Sequence, residues 1–178
     1  EAFFDDLHCL DTHTSVWKKI QTHGQKPTPR DGATATVIGN KVYFIGGYSS
    51  VGFVETYCND VYCLDLGSLT WEKLDFELPN YYTGLAWHTA GVAEFDDHPR
   101  IFTVGGTLGG IICNEVFIFD LATRKIHRIK GAGTPPGPRY FHGMCKVGRR
   151  QVLLTCGAGI PYTPNAFYDD LHTFVLPK

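Results

Sequence analysis

The sequence predicts an all-β fold made of a repeated unit of four short strands. Two observations predict it, and the first is composition. The 178 residues include 20 Gly, 10 Pro and 13% aromatic residues but a single Met. Glycine and proline favour turns, whereas aromatic and β-branched residues favour strands, so this composition is typical of many short strands and unlike that of a helical bundle.

The second observation is a segment of seven residues that occurs four times, as residues 5–11, 59–65, 114–120 and 169–175. Each copy begins with an acidic or amide residue, continues with an acidic residue and then runs into an apolar, β-rich stretch. The second acidic residues, Asp6, Asp60, Glu115 and Asp170, are separated by 54, 55 and 55 residues. So regular a period predicts one supersecondary unit per repeat.

Each repeat predicts the same strands in the same order, because each apolar run is β-rich and is bounded by turn residues. Two strands of an incomplete unit come first, and the last unit contains three. The predicted strands of the three later units are 33–38, 42–45, 61–65 and 70–74, then 90–95, 101–104, 116–120 and 125–129, and finally 143–147, 152–156 and 171–175.

The second strand of each unit is a nearly unbroken apolar run, which is typical of a strand covered on both faces. Glycines follow it and allow positive φ where neighbouring units come close together. The third strand ends in an aspartate whose side chain can bond backbone amides in the next turn. These residues are Gly46-Gly47, Gly105-Gly106 and Gly157-Ala158-Gly159, and Asp11, Asp65 and Asp120.

This arrangement resembles the kelch repeat, whose pattern is a Gly-Gly pair, a later aromatic residue and then a Trp. Gly46-Gly47, Tyr62 and Trp71 match it, and in the next unit Ile126 stands in place of the Trp. The resemblance covers essentially the whole chain, although Gly157-Ala158-Gly159 departs from the uninterrupted pair. It implies a β-propeller of four-stranded blades.

On this interpretation the chain contains about three and a quarter blades. Residues 1–24 form the second half of a blade, 25–79 and 80–134 form two complete blades, and 135–178 form a blade without its last strand. Propellers close with about four to eight blades. We therefore expect a segment of a six- or seven-bladed propeller, with the remaining blades supplied by the same longer polypeptide or by a partner chain.

Charge and cysteine usage narrow the class of protein. Sixteen basic residues face 18 acidic ones, so a nucleic-acid partner is not expected, and no signal peptide or membrane span is visible. No Cys-x-x-Cys pair occurs, and Cys9, Cys63, Cys145 and Cys156 lie in apolar runs, which predicts reduced, buried thiols and an intracellular location, cytoplasmic or nuclear. Cys58 and Cys113 share a repeat position, where structural use is favoured over redox sensing.

The resemblance also implies where partners bind. In kelch proteins the residues before the first strand of a blade, and those just after the double glycine, face one end of the central channel. The residues at those positions are Arg30, Tyr48, Ser49, Trp87, His88, Arg139, Tyr140, Phe141 and His142.

Two interpretations of these residues remain open. Either Arg30 and Arg139 bind carboxylates of a peptide while Tyr48, Trp87 and Tyr140 are rigid aromatic anchors, or the arginines pair with acids of the turns and the aromatics pack locally. The segments 48–58 and 76–87 are predicted to be long irregular loops, serving either in recognition or in covering a blade edge.

No metal, cofactor or catalytic activity is expected. The eight histidines are scattered without ligand spacing, and His8 and His172, which share the position of Tyr62 and Phe117, are expected to pack in the sheet. No nucleophile elbow, phosphate loop or acidic cluster occurs. The resemblance implies a protein-interaction module, such as a substrate-recognition adaptor of a ubiquitin ligase. The alternatives are a metal-dependent propeller enzyme, galactose-oxidase-like or lyase-like, and a scaffold within a larger assembly.

Overall fold

A computed structural model of the protein describes residues 3–52, 54–95, 98–148, 150–160 and 166–176. These residues form 19 β-strands and no helix, which confirms the all-β prediction. The strands are β1 (Leu7–Asp11), β2 (Val16–Ile20), β3 (His23–Gly24), β4 (Thr34–Ile38), β5 (Lys41–Ile45), β6 (Tyr48–Val51), β7 (Val54–Tyr57), β8 (Val61–Asp65), β9 (Thr70–Leu74), β10 (Leu85–Ala86), β11 (Thr89–Phe95), β12 (His98–Val104), β13 (Thr107–Leu108), β14 (Ile111–Ile112), β15 (Val116–Asp120), β16 (Lys125–Ile129), β17 (Gly143–Lys146), β18 (Gln151–Thr155) and β19 (Leu171–Val175).

The main sheets have the strand order of propeller blades. Blade I is the pair β1-β2, blade II is β4-β5-β8-β9, blade III is β11-β12-β15-β16, and blade IV is β17-β18-β19. All these neighbours are antiparallel, and β3 adds to blade II in parallel with β9. The innermost strand β11 contacts β4 on one side and β17 on the other, so the blades follow one another around a common axis.

The core consists of three apolar clusters, each formed where two blades face one another. One lies between blades I and II around Trp71, and the largest lies between blades II and III. The third lies between blades III and IV. Strand β12 belongs to two clusters, because Ile101 faces blade II while Phe102 faces blade IV. The predicted burial of this strand on both faces is therefore confirmed.

The structure corrects one of the two predicted loops and favours one of the two roles considered for the other. Residues 48–58 form a hairpin, β6-β7, in which Tyr48 lies opposite Tyr57. The physical reason is that Tyr48 and Val51 lie opposite Tyr57 and Val54, and cross-strand pairs of aromatic and β-branched residues stabilise a hairpin. In 76–87, Tyr82 is buried with its ring 5.4 Å from that of Phe117, which favours the edge-covering alternative for that segment.

The predicted aspartate turns are confirmed. One carboxylate oxygen of Asp11 accepts hydrogen bonds from the amides of His13 and Thr14, at 2.9 and 3.0 Å. Asp65 and Asp120 make the same pair of bonds in the next two blades. The turn thus keeps a fixed length in blades I, II and III, because one side chain holds two consecutive amides.

The glycine pair of blade IV is not Gly157-Ala158-Gly159, as the sequence suggested, but Cys156-Gly157. Cys156 has a φ of 60° and Gly157 of 102°, close to the 65° and 105° of Gly46 and Gly47. The Cys156 amide also donates to the carbonyl of Asp170, as the Gly46 amide does to Asp60. The repeat pattern predicts glycine at this left-handed position, but Cys156 adopts it with a Cβ present.

The cysteine prediction is correct for Cys63 and wrong for three others. All six thiols are free, but Cys9, Cys145 and Cys156 are exposed. On β17, Met144 packs against blade III, so the next side chain, that of Cys145, points to the opposite face. Cys58 and Cys113 are buried, and burial raises the pKa of both thiols, which favours structural use.

Candidate functional site

The chain segments that carry the predicted site residues lie side by side. In each blade the loop before the first strand pairs with the segment after the glycine pair: Asp31 with Tyr48, Ala86 with Thr107, and Tyr140 with Ala158. The Tyr140 pair exchanges two backbone hydrogen bonds, at 2.8 and 2.9 Å. The loops of three blades therefore meet at one end of the innermost strands.

Three repeat-equivalent residues at this end have left-handed backbones. They are Gly32, Trp87 and Phe141, with φ of 62°, 54° and 54°. The Trp87 amide donates to the Gly32 carbonyl, and the Phe141 amide donates to the Trp87 carbonyl. The Trp87 indole lies over Gly32, where a Cβ would approach it to 2.5 Å. These hydrogen bonds between blades hold Trp87 and Phe141 in a backbone conformation that residues other than glycine seldom adopt.

We call five rings in continuous contact the aromatic face: Tyr48, Tyr57, Trp87, Tyr140 and Phe141. The ring of Phe3 adjoins this face, with its centroid 6.1 Å from that of Tyr48. The ring centroids of Tyr48 and Tyr57 lie 5.5 and 6.0 Å from that of Trp87. On the other side of Trp87, Phe141 lies at 5.9 Å and Tyr140 at 6.4 Å. Phe141 is 65% exposed, so the face reaches solvent through this ring.

A recess of about 310 Å³ opens beside the aromatic face. We call it the apolar recess, and among the residues that the structure describes no charged side chain lines it. Trp87, Tyr140 and Phe141 form one part of its wall, and blade III contributes Thr107 and Ile112.

Arg30 forms an ion pair within its own blade. Its guanidinium donates to both carboxylate oxygens of Asp60, at 2.6 and 3.3 Å, and to the carbonyl of Gly46 at 2.9 Å. Its side chain is only 8% exposed. The alternative in which this arginine pairs with an acid of its own blade is therefore favoured.

Arg139 occupies the same position in blade IV and is still more enclosed. It is 1% exposed and donates to both carboxylate oxygens of Asp170, at 2.5 and 2.7 Å, and to the Cys156 carbonyl at 3.0 Å. Its guanidinium also lies 4.0 Å from the centre of the Tyr168 ring. The hydrogen bond from Arg139 holds the pKa of Asp170 well below its usual range. For this arginine too, the alternative of pairing within its own blade is favoured.

A comparison of blade III with blades II and IV also indicates, from sequence alone, that the two arginines form internal ion pairs. Where the other blades have an arginine, blade III has Leu85, which is fully buried. Its repeat acid, Glu115, pairs instead with Arg128 on β16. The arginine and its aspartate thus occur together or change together, a covariation within one chain that indicates an internal ion pair.

The family model of the KLHDC2/KLHL20/DRC7 Kelch-repeats domain matches residues 1–178. The chain belongs to the kelch-repeat family. Kelch repeats form protein-interaction modules, so the family supports that general role for this chain.

Individual relatives agree with the family assignment. The chain is 30% identical to bovine Kelch domain-containing protein 2 over 156 residues, covering 86% of this chain and 36% of that protein. It is 28% identical to Acyl-CoA-binding domain-containing protein 5 of Arabidopsis thaliana over 152 residues, covering 85% of this chain and 22% of that protein. It is 25% identical to human Host cell factor 1 over 177 residues, covering 89% of this chain and 8% of that protein. The chain thus spans about a third or less of the length of these relatives.

Sequence reasoning missed three residues of this site. Tyr57 belongs to the aromatic face, and Thr107 and Ile112 line the apolar recess. The rule that selected Tyr48 and Ser49 after the first glycine pair, applied to Gly105-Gly106, would have found Thr107. Tyr57 and Ile112 are brought in by the short hairpins, which the kelch repeat pattern does not predict.

The three other predicted residues are buried and bond within the kelch domain. Ser49 donates to the Pro29 carbonyl at 2.7 Å. His88 Nε2 lies 2.8 Å from Thr34 Oγ1, and His142 Nε2 lies 2.7 Å from Thr89 Oγ1. Each histidine therefore links its blade to the preceding one, and neither reaches the surface of the aromatic face.

We expect these two histidines to make the kelch domain sensitive to mild acid. Burial lowers the pKa of His88 to about 3 and of His142 to about 4, from an ordinary value of 6.5. Below about pH 6.5 the unfolded chain binds protons that the folded chain does not, so stability falls as pH falls, by about 1.4 kcal/mol per pH unit for each histidine. Urea unfolding at about pH 7 and about pH 5 measures the difference.

The control variants separate these histidines from other acid effects. His88→Gln/His142→Gln should flatten the pH dependence between about pH 7 and pH 5, because glutamine does not titrate. His127→Gln, at an exposed position on β16, should leave the slope unchanged. An equal slope in the protein and in the double variant would contradict the assignment.

The prediction that His8 and His172 pack in the sheet is wrong. His8 and His172 are not packed in the sheet core but bond Asp6 and Asp170, at 3.0 and 2.8 Å. The reason is that residues two apart on a strand share a face. Across the described ranges, no three His, Cys, Asp or Glu side chains are grouped to hold a metal ion, and no helix is long and apolar enough to cross a membrane.

Proposed function

We propose that this kelch domain binds a protein or peptide partner through the aromatic face. The observation that carries the proposal is the continuous contact of rings from blades II, III and IV around Trp87. Clustered Trp and Tyr side chains at an open recess are typical of binding hot spots, and the family supports a protein-interaction role.

The rigidity of the face favours binding. Trp87 and Phe141 are held by backbone hydrogen bonds between blades, and their rings contact one another at 5.9 Å. A side chain that is already ordered loses little conformational entropy when a partner binds. The unusual backbone of these residues is therefore consistent with a role in binding rather than in packing alone.

The surface around the rings extends the proposed interface. Val51 and Val54 at the tip of the β6-β7 hairpin are 57% and 65% exposed, and Ile111 at the β13-β14 turn is 74% exposed. The two hairpins are adjacent, because a Cβ at Gly110 would lie 3.3 Å from the Tyr57 ring. A protein partner could bury these apolar residues together with the rings.

Affinity capture from the cells that express the protein tests the proposal. Phe141→Ala should lose partners that the unchanged protein retains, because this ring is the most exposed of the face. Leu66→Ala is the control, since Leu66 is 41% exposed in the β8-β9 turn, at the end of its blade opposite to the aromatic face. Identical partner lists for the two variants would favour general scaffolding over recognition by this face.

The finer role of a ubiquitin-ligase substrate adaptor is part of the proposal and rests on the kelch resemblance. The same capture experiment tests it. Ligase subunits should be retained by the unchanged protein and by Phe141→Ala alike, since the substrate face and the ligase-binding surface would be separate. A complete absence of ligase subunits from both would contradict the adaptor role.

A further inference from the structure

We propose that the apolar recess accepts one bulky apolar side chain from an uncharged stretch of the partner, and that it excludes carboxylates. This inference rests on the proposed function and specifies the chemistry of the ligand. It reverses the sequence-based expectation that the arginines of these loops bind acidic groups.

The lining of the recess supports an apolar occupant. Trp87, Tyr140, Phe141 and Ile112 supply its wall, and the one aliphatic hydroxyl, Thr107 Oγ1, is buried and turned to the Ala86 carbonyl at 3.5 Å. A hydrophobic side chain that enters gives up water against these ring and aliphatic surfaces, and the Thr107 hydroxyl keeps its bond to the Ala86 carbonyl.

Electrostatics argue against an acidic ligand. The loops of the face contribute two guanidinium groups, those of Arg30 and Arg139, and each already binds both oxygens of an aspartate. A carboxylate in the recess would lose hydration and gain no unpaired cation, which is unfavourable. The charge of the site is therefore complementary to a neutral segment.

Size and shape indicate a single anchor. A volume of about 310 Å³ is at the small end of ligand pockets, which suits one side chain rather than a folded peptide. The rings of Tyr140 and Phe141 meet at 54°, and those of Trp87 and Phe141 meet at 65°. Tilted rings offer both edges and faces to an entering aromatic or aliphatic group.

The neighbouring surface continues the same chemistry. Ile111 is exposed next to Ile112, and Val51 and Val54 are exposed on the adjacent hairpin. The residues that flank the anchor in the partner would therefore also meet apolar groups. We expect the bound stretch to be extended and free of Asp and Glu.

Panning an unbiased library of phage-displayed peptides on the intact protein tests the inference. The enriched peptides should share one Trp, Phe, Leu or Met and lack acidic residues beside it. Phe141→Ala and Ile112→Glu should each weaken a selected peptide by about tenfold or more, and Leu66→Ala, in the β8-β9 turn at the opposite end of its blade, should leave its affinity unchanged. Binding should also be nearly independent of salt concentration.

The outcomes separate this inference from the proposed function. Three results would overturn the inference. They are the enrichment of acid-rich peptides whose affinity falls with salt, the enrichment of apolar peptides insensitive to Phe141→Ala, and a library that yields no peptide sensitive to Phe141→Ala. Each of these results is compatible with loss of the cellular partners in Phe141→Ala. Retention of those partners would instead contradict the proposed function.

Discussion

Replacing Arg139 by alanine is expected to lower the free energy of unfolding by about 3 kcal/mol. Arg139 is 1% exposed and holds Asp170 through two hydrogen bonds while also binding the Cys156 carbonyl. Its loss leaves the Cys156 carbonyl without this donor and the Asp170 carboxylate with His172 as its remaining side-chain partner. Because about a third of the Asp170 side chain is exposed, water can hydrate part of that charge, and the expected effect is at the lower end for a buried pair.

The reverse variant and an exposed pair provide the controls. Asp170→Ala should destabilise more than Arg139→Ala, since it leaves a fully buried guanidinium without a counterion. Arg128→Ala removes an arginine whose side chain is 40% exposed in its pair with Glu115, so its effect should stay below about 1 kcal/mol. Urea unfolding of the three variants measures this order. Equal effects of Arg139→Ala and Arg128→Ala would contradict the internal role of Arg139.

Replacing Gly46 by alanine is expected to have the other large effect. Gly46 has a φ of 65°, and a Cβ there would lie 2.0 Å from the Leu85 carbonyl oxygen. That oxygen belongs to the backbone of the next blade, where it accepts a hydrogen bond from Gly47. The two blades would have to separate, so we expect a loss of about 3 kcal/mol beyond the strain of the backbone itself.

Gly39 supplies the matched control for the backbone term. Its φ is 59°, but a Cβ there would meet nothing within 4 Å. Gly39→Ala should therefore show only the strain of a left-handed alanine, about 1 kcal/mol. The difference between the two variants in thermal or urea unfolding isolates the contact between blades. If both lost the same stability, close packing at Gly46 would not be what requires glycine.

Much of the fold could be predicted because its signals are local. The bounds of β8, β9, β15, β16 and β19 follow from apolar runs between turn residues. Asp65 holds its turn through neighbouring amides, a bond that needs no distant partner. The 55-residue period assigns these strands to blades without the need for any contact between them.

The rest depended on contacts between blades, which a pattern along one strand does not show. Arg30 reads as an exposed loop residue until Asp60, 30 residues away, is placed beside it. Cys156 resembles a core residue, but it occupies a glycine position with positive φ. Ile112 enters the apolar recess only because a short hairpin follows Gly105-Gly106. In each case, the partner comes from another element, so composition and period carried no signal of it.

The dissociation constant of a captured partner, measured with purified protein, tests the central claim most directly. If the aromatic face binds the partner, Phe141→Ala should raise this constant about tenfold or more, because a hot-spot ring contributes about 1–2 kcal/mol or more. Leu66→Ala, at the opposite end of its blade, should leave the constant within about twofold of the unchanged protein. Equal constants for the unchanged protein and Phe141→Ala would contradict binding through the aromatic face.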